Sequence, residues 1–219
     1  MDAVDRAARI RRLTTPRSAA LAGILFALLF GTSVILLRAA IPADPGAGTA
    51  WNDKGATQLR IALTLMPFAG IAFLWFIGVI RDRLGDYEDR FFASVFLGSG
   101  LIFLAMVFVA MAVAGAILAG ASAGGTQAYP PEVVDFGRAV MLQISNVYAL
   151  RMAGVFMISL ATIWLRTGLM PRWLAVISFA LAMTLLAVTS LGLWVTLCFP
   201  AWALTVSTFL LVRHPARTE

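Results

Sequence analysis

The chain has 219 residues, of which 61% are hydrophobic and 13% charged, with a mean hydropathy of +0.89 and a formal charge of +6. A water-soluble domain carries about 45–50% apolar and ~25% charged residues, so a water-solvated fold is excluded and lipid must cover the surplus apolar surface. The cations flank apolar runs, where they set topology and meet anionic headgroups. No recognition helix or aromatic platform accompanies them, so nucleic acid is not an expected partner. Sixteen of the seventeen cations are Arg and one is Lys54, a bias assigned to a GC-rich genome.

Residues 1–17 form a basic cytoplasmic head carrying Arg6, Arg9, Arg11, Arg12 and Arg17. Within it, 2–13 reads equally as a short amphipathic helix, with Val4, Ala7, Ala8 and Leu13 on its apolar face, or as a basic tail. A membrane domain follows over 18–212, with spans at about 18–37, 59–80, 91–119, 139–165, 173–189 and 192–212, and a cytoplasmic tail at 213–219. Crossing ~30 Å of hydrocarbon takes ~20 helical residues, and lipid admits only helices or closed barrels. The runs lack the period-two alternation of barrel strands. The expected fold is therefore all-α, a polytopic bundle of six transmembrane helices.

Thr15 can cap the first span and Pro16 suits its first turn. The apolar run after it exceeds the ~7–15 residues of a secretory h-region, which makes it a retained span. Arg81 to Arg90 alternates in sign, so its charges are expected to pair at the surface, each pair worth little. Ile41–Ala56 and Ala121–Gly137 are rich in Gly, Ala and Pro and read as stiff outer loops, with Trp51 and Tyr129 at the interface. A single helix over 173–212 would be ~60 Å long, which forces a hairpin at Thr189–Gly192.

With the N-terminus inside, twelve cations fall on cytoplasmic segments: Arg6, Arg9, Arg11, Arg12, Arg17, Arg81, Arg83, Arg90, Arg166, Arg172, Arg213 and Arg217. Four flank the outer loops: Arg38, Lys54, Arg60 and Arg138. The positive-inside rule then puts both termini in the cytoplasm, as an even number of spans requires.

Reactive constellations are scarce. His214 lies past the last span and Cys198 inside it, so no His pair can ligate haem or zinc and no disulfide can close within the chain; no metal and no cofactor is expected. Leu97-Gly98-Ser99-Gly100 faintly resembles the serine motif of rhomboid-type proteases. No span contains a His to activate that serine, so the small residues, like Gly115, Ala116, Ala119 and Gly120, are read as packing positions. With no Asp or Glu in any span, no catalytic residue is assigned and an enzyme is not expected.

Arg151 is the exception. On a continuous helix from Val140 to Arg166 it lies ~16 Å from one end and ~22 Å from the other, near the midplane, where an Arg costs about 2.5–3.5 kcal/mol. At ~100° per residue, Tyr148, Arg151, Val155, Ser159 and Thr162 share an arc of ~80°, expected to face the bundle interior. Two readings stay open. Arg151 can brace carbonyls of Leu63 and Thr196 freed by Pro67 and Pro200. Alternatively, Arg151, Tyr148, Ser159 and Thr162 bind an anion or polar headgroup admitted past Arg38, Arg60 and Arg138.

The segment Phe73-Leu74-Trp75-Phe76-Ile77-Gly78 through Arg81-Asp82-Arg83-Leu84-Gly85, with Glu88-Asp89-Arg90-Phe91-Phe92 after it, resembles uncharacterised multi-pass membrane proteins of GC-rich Gram-positive bacteria. Met170-Pro171-Arg172-Trp173-Leu174-Ala175 is similar to hairpins in membrane families built on a domain of unknown function. The resemblance implies a bacterial plasma-membrane location and carries no catalytic residue. The expected function is thus a non-enzymatic structural or interaction protein of the plasma membrane. Its expected partners are membrane lipids, with an anionic ligand or a membrane protein partner also open. The alternative is a transporter or binder of an anionic or lipid-like ligand centred on Arg151.

Overall fold

The computed structural model describes residues 16–40, 53–84, 90–122, 129–168, 170–187 and 193–213. The 2–13 segment, Thr15, the turn at Thr189–Gly192 and His214 lie outside these residues, as do 41–52, 85–89 and 123–128 of the expected loops. The described elements are all helical. They are α1 (Pro16–Ala40), α2 (Asp53–Leu84), α3 (Arg90–Ser122), α4 (Pro131–Gln143), a π-helical turn (Ile144–Ala149), α5 (Leu150–Thr167), α6 (Arg172–Ala187), a 3-10 turn (Leu193–Leu197) and α7 (Cys198–Arg213).

Five helical stretches are long and apolar enough to cross a membrane: Ala20–Ala40, Gly55–Arg81, Phe91–Gly120, Pro131–Thr167 and Val195–Val212. α6 has 16 residues, or ~24 Å, and falls just short of the ~17-residue lower bound for a span. Helices overrun the apolar runs because charge bars a residue from hydrocarbon, not from a helix. α4 thus starts on Pro131, with Pro130 at its N-cap and Glu132 in its first turn. It carries Asp135 and Arg138 before the apolar stretch opens.

Local chemistry sets the ends. α5 stops at Gly168, whose φ of 67° is left-handed and whose N–H donates to the Trp164 carbonyl at 2.9 Å, a cap that glycine adopts without strain. Pro67 sits inside α2, where it cannot donate to the Leu63 carbonyl. Pro200 lies in the first turn of α7. α7 follows directly on the 3-10 turn Leu193–Leu197, so the missing N–H of Pro200 falls where the helix type changes.

Neighbouring helices run antiparallel. Phe26 of α1 packs on Phe73 of α2 with ring centroids 4.6 Å apart, and Phe96 of α3 on Phe156 of α5 at 4.6 Å. α6 and α7 are tied at two levels: Trp202 Nε1 donates to Ser178 Oγ at 2.8 Å, and Trp173 meets Phe209 edge-on at 5.9 Å. α1 and α7 also oppose each other, with Gly23 against Ser207 and Gly31 near Pro200. Pro16 and Arg213 therefore lie at one end of the bundle, the terminal end, with Leu84, Arg90 and Thr167. Ala40, Asp53, Ser122 and Pro131 mark the far end.

The core between these helices is aromatic. Phe26, Phe73, Phe76, Phe96, Phe156 and Phe199 are fully buried. Phe103 joins Phe73 at 5.4 Å and Phe199 at 4.7 Å. Residues facing away from this core are apolar too: Leu21, Leu25 and Leu28 on α1, Phe68, Ile71 and Trp75 on α2, and Val176 and Met183 on α6 are all exposed. A bundle apolar inside and out has its outer face in lipid.

Candidate functional site

The stripe expected to face the interior does not do so as a unit. The buried line of α5 is Leu150, Ala153, Met157, Leu160 and Trp164, one and two turns apart, and the stripe lies on its flank. Tyr148 is 54% exposed and Arg151 half-buried, and Arg151 has no hydrogen-bond partner among the described residues. Ser159 is buried, but its Oγ donates to the Val155 carbonyl at 2.9 Å. Thr162 Oγ1 does the same to Ile158 at 2.8 Å. Such back-bonding is how hydroxyls satisfy themselves on an apolar helix, and it turns both hydrogens away from Arg151.

Part of the difference from the expected stripe is geometric. Ile144–Ala149 is a π-helical turn, closed by wider i→i+5 bonds. A residue inside it advances less than the ~100° of an α-helix, so extrapolation back from Arg151 misplaces Tyr148. Depth changes as well. Arg151 is five residues, or ~7 Å, from Asn146, which shares a level with the end of α1. Because Cβ vectors tilt toward a helix's N-terminus, the Arg151 side chain is aimed at the far end. A partly buried Arg there can run its stem along apolar surface and lift its head toward the headgroups.

The buried cation is Arg38. Only 7% of it is exposed, although it lies two residues from the end of α1. Ala22, Phe26, Phe30, Val34 and Arg38 follow at four-residue intervals, and all five are buried. Arg38 thus continues the core ridge of its helix. The tilt that lifts Arg151 outward carries Arg38 back into the bundle, since α1 runs the opposite way. One Nη2 hydrogen goes to Asn146 Oδ1 on the π-helical turn. Arg38 Nε and Nη1 are buried with no partner.

Arg38 borders a cavity of about 30 Å³. Ser145 and Thr196 supply its other polar lining, and Phe30, Met66, Phe103, Met111 and Phe199 are among its apolar walls. Ser145 Oγ donates to the Leu142 carbonyl at 3.3 Å, leaving its lone pairs as acceptors. A larger depression, about 320 Å³ over Asp135, Arg138, Ala139 and Leu142, is an open groove on α4, and Arg138 is already engaged. At the terminal end the guanidinium of Arg166 stacks over the Phe92 ring at 4.7 Å, a cation–π contact that fastens α5 to α3.

The elements thus gather Arg38, Ser145, Asn146 and Thr196, which sequence spacing leaves scattered, and keep Arg151 apart from them. The chain matches no protein-family model, no curated protein and no solved structure.

Proposed function

We propose that the chain is a six-span bacterial plasma-membrane protein with both termini in the cytoplasm, acting as a non-enzymatic structural or interaction protein among lipids and membrane partners. The observation that carries this reading is the filled centre. Rings from α1, α2, α3, α5 and α7 stack through the middle of the bundle, from Phe26 and Phe73 to Phe199 and Trp202. A carrier moving a polar solute needs polar groups along its route, and that aromatic column supplies none. For α6 to count as the fifth crossing, its 16 residues must be extended by the chain toward the 3-10 turn, and its antiparallel ties to α7 favour such a hairpin.

Topology is tested by single cysteines in a Cys198→Ala background. Gly48→Cys and Gly125→Cys should react with a membrane-impermeant thiol reagent on intact cells, and Asp86→Cys only after permeabilisation. Labelling of Asp86→Cys on intact cells would reverse the orientation. The purified protein in liposomes should pass chloride and phosphate no faster than protein-free liposomes; flux above that background removes the non-transport reading.

A further inference from the structure

We propose that Arg38 and Asn146, at the far end of the bundle, form a binding site for one phosphate group, carried by a lipid headgroup or free in solution.

A guanidinium offers five donors, and here one is used while Nε and Nη1 are buried without acceptors. Water could satisfy those donors but not the charge, and a buried charge without a countercharge is among the costliest groups in a fold. Among the described residues, no carboxylate lines the cavity, so none of them supplies the balancing charge. The cavity fixes what can enter. A water-sized atom needs ~10–15 Å³, so about 30 Å³ admits two or so such atoms. That is too little for an acyl chain or a sugar and enough for the leading oxygens of an oxyanion.

Depth selects phosphate. Arg38 is 21 residues along α1 from Arg17, or ~32 Å, the thickness of the hydrocarbon core. Arg38 is two residues from the end of the apolar span Ala20–Ala40, the end that a headgroup phosphate can approach. Asn146 steers the fork by accepting from Nη2, and its place on the π-helical turn fits the frequent use of such turns at functional sites. Nothing here depends on membrane orientation or on the absence of transport, so failure of either leaves this inference standing, and the reverse holds too.

The full chain in a neutral detergent should melt about 5–10 °C higher with ligand at a hundredfold excess over Kd. The probes are phosphatidylglycerol and inorganic phosphate, each against sodium chloride at matched ionic strength. A shift with phosphatidylglycerol alone assigns a lipid headgroup. A shift with inorganic phosphate assigns a free anion. No shift with either, or an equal one with chloride, overturns the site. Arg38→Gln should abolish the shift and Arg151→Gln should leave it intact. Should Arg38→Gln fail to fold, Asn146→Asp decides. It supplies an internal carboxylate to Arg38, so the unliganded protein should melt no lower than wild type while the phosphate-dependent shift disappears. An Asn146→Asp protein that still responds like wild type overturns the proposal.

Discussion

Two arginines near the same end of the bundle meet opposite fates because of the direction of the helices that bear them. Arg151 is only partly buried, on a helix whose Cβ vectors aim it at the far end, so its charge can be solvated there from outside the core. Arg151→Ala should therefore shift the melting temperature of the detergent-solubilised protein by no more than about 2–4 °C, the equivalent of ~1 kcal/mol in a chain this long. Collapse of the unliganded fold would show that Arg151 is a brace after all. Gly23 makes a different demand. A Cβ there would run into Ser207 Oγ and sit 2.8 Å from the Phe76 ring, whereas one at Gly78 would meet nothing within 4 Å. Gly23→Val should cost about 1–3 kcal/mol through overpacking, and Gly78→Val close to nothing. Parallel melts of the two variants check this, and equal stability would mean that α1 and α7 do not approach as described.

At the scale of elements, α6 is short and lipid-facing along Trp173, Val176, Ile177 and Met183, and it packs on α5 through Ala182 and Leu186 against Gly154. Its polar tie to α7 is the bond from Trp202 to Ser178, whose hydroxyl also donates to the Leu174 carbonyl at 2.8 Å. Ser178→Ala leaves a buried indole N–H without an acceptor, and in membranes such bonds average ~0.6 and reach ~1.7 kcal/mol. A drop of ~2–6 °C is the expected outcome, and Trp202→Phe should remove most of it. The helices themselves were legible in the sequence, because apolar length and the lack of period-two alternation leave little choice in lipid. Their ends were less so: Glu132, Asp135 and Arg138 suggested a start at 139, yet the helix begins at Pro131. The candidate site is less legible for a sharper reason. Hydropathy gives depth along a helix, and the regular ~100° step that groups Arg151 with Tyr148, Ser159 and Thr162 does not say which way that arc faces. The azimuth was written in the four-residue series ending Phe30, Val34, Arg38, which sets a guanidinium on a core ridge. The π-helical turn that brings Asn146 to it leaves no sequence signature that spacing rules can read.

For the whole molecule the question is what holds apolar helices together when lipid is as apolar as they are. Association there relies on close packing rather than on escape from water, and the aromatic column supplies the contact. Phe73 is its hub, meeting Phe26 at 4.6 Å, Phe103 and Phe156 at 5.4 Å and Phe199 at 5.9 Å. It thereby joins α2 to α1, α3, α5 and α7. Truncating such a ring removes contacts to four helices at once and leaves a cavity that rigid neighbours cannot fill, which typically costs ~3–5 kcal/mol. Phe73→Ala should lower the melting temperature by ~6–20 °C, whereas Phe68→Ala, five residues away on the outer face of the same helix and 58% exposed, should change it by less than ~3 °C. A double variant adding Phe199→Ala should lose less than the sum of the two single losses, because the rings touch and share one cavity. Full additivity would mean that the rings do not act as one packed unit, and a tolerant Phe73 would place the cohesion of the bundle elsewhere.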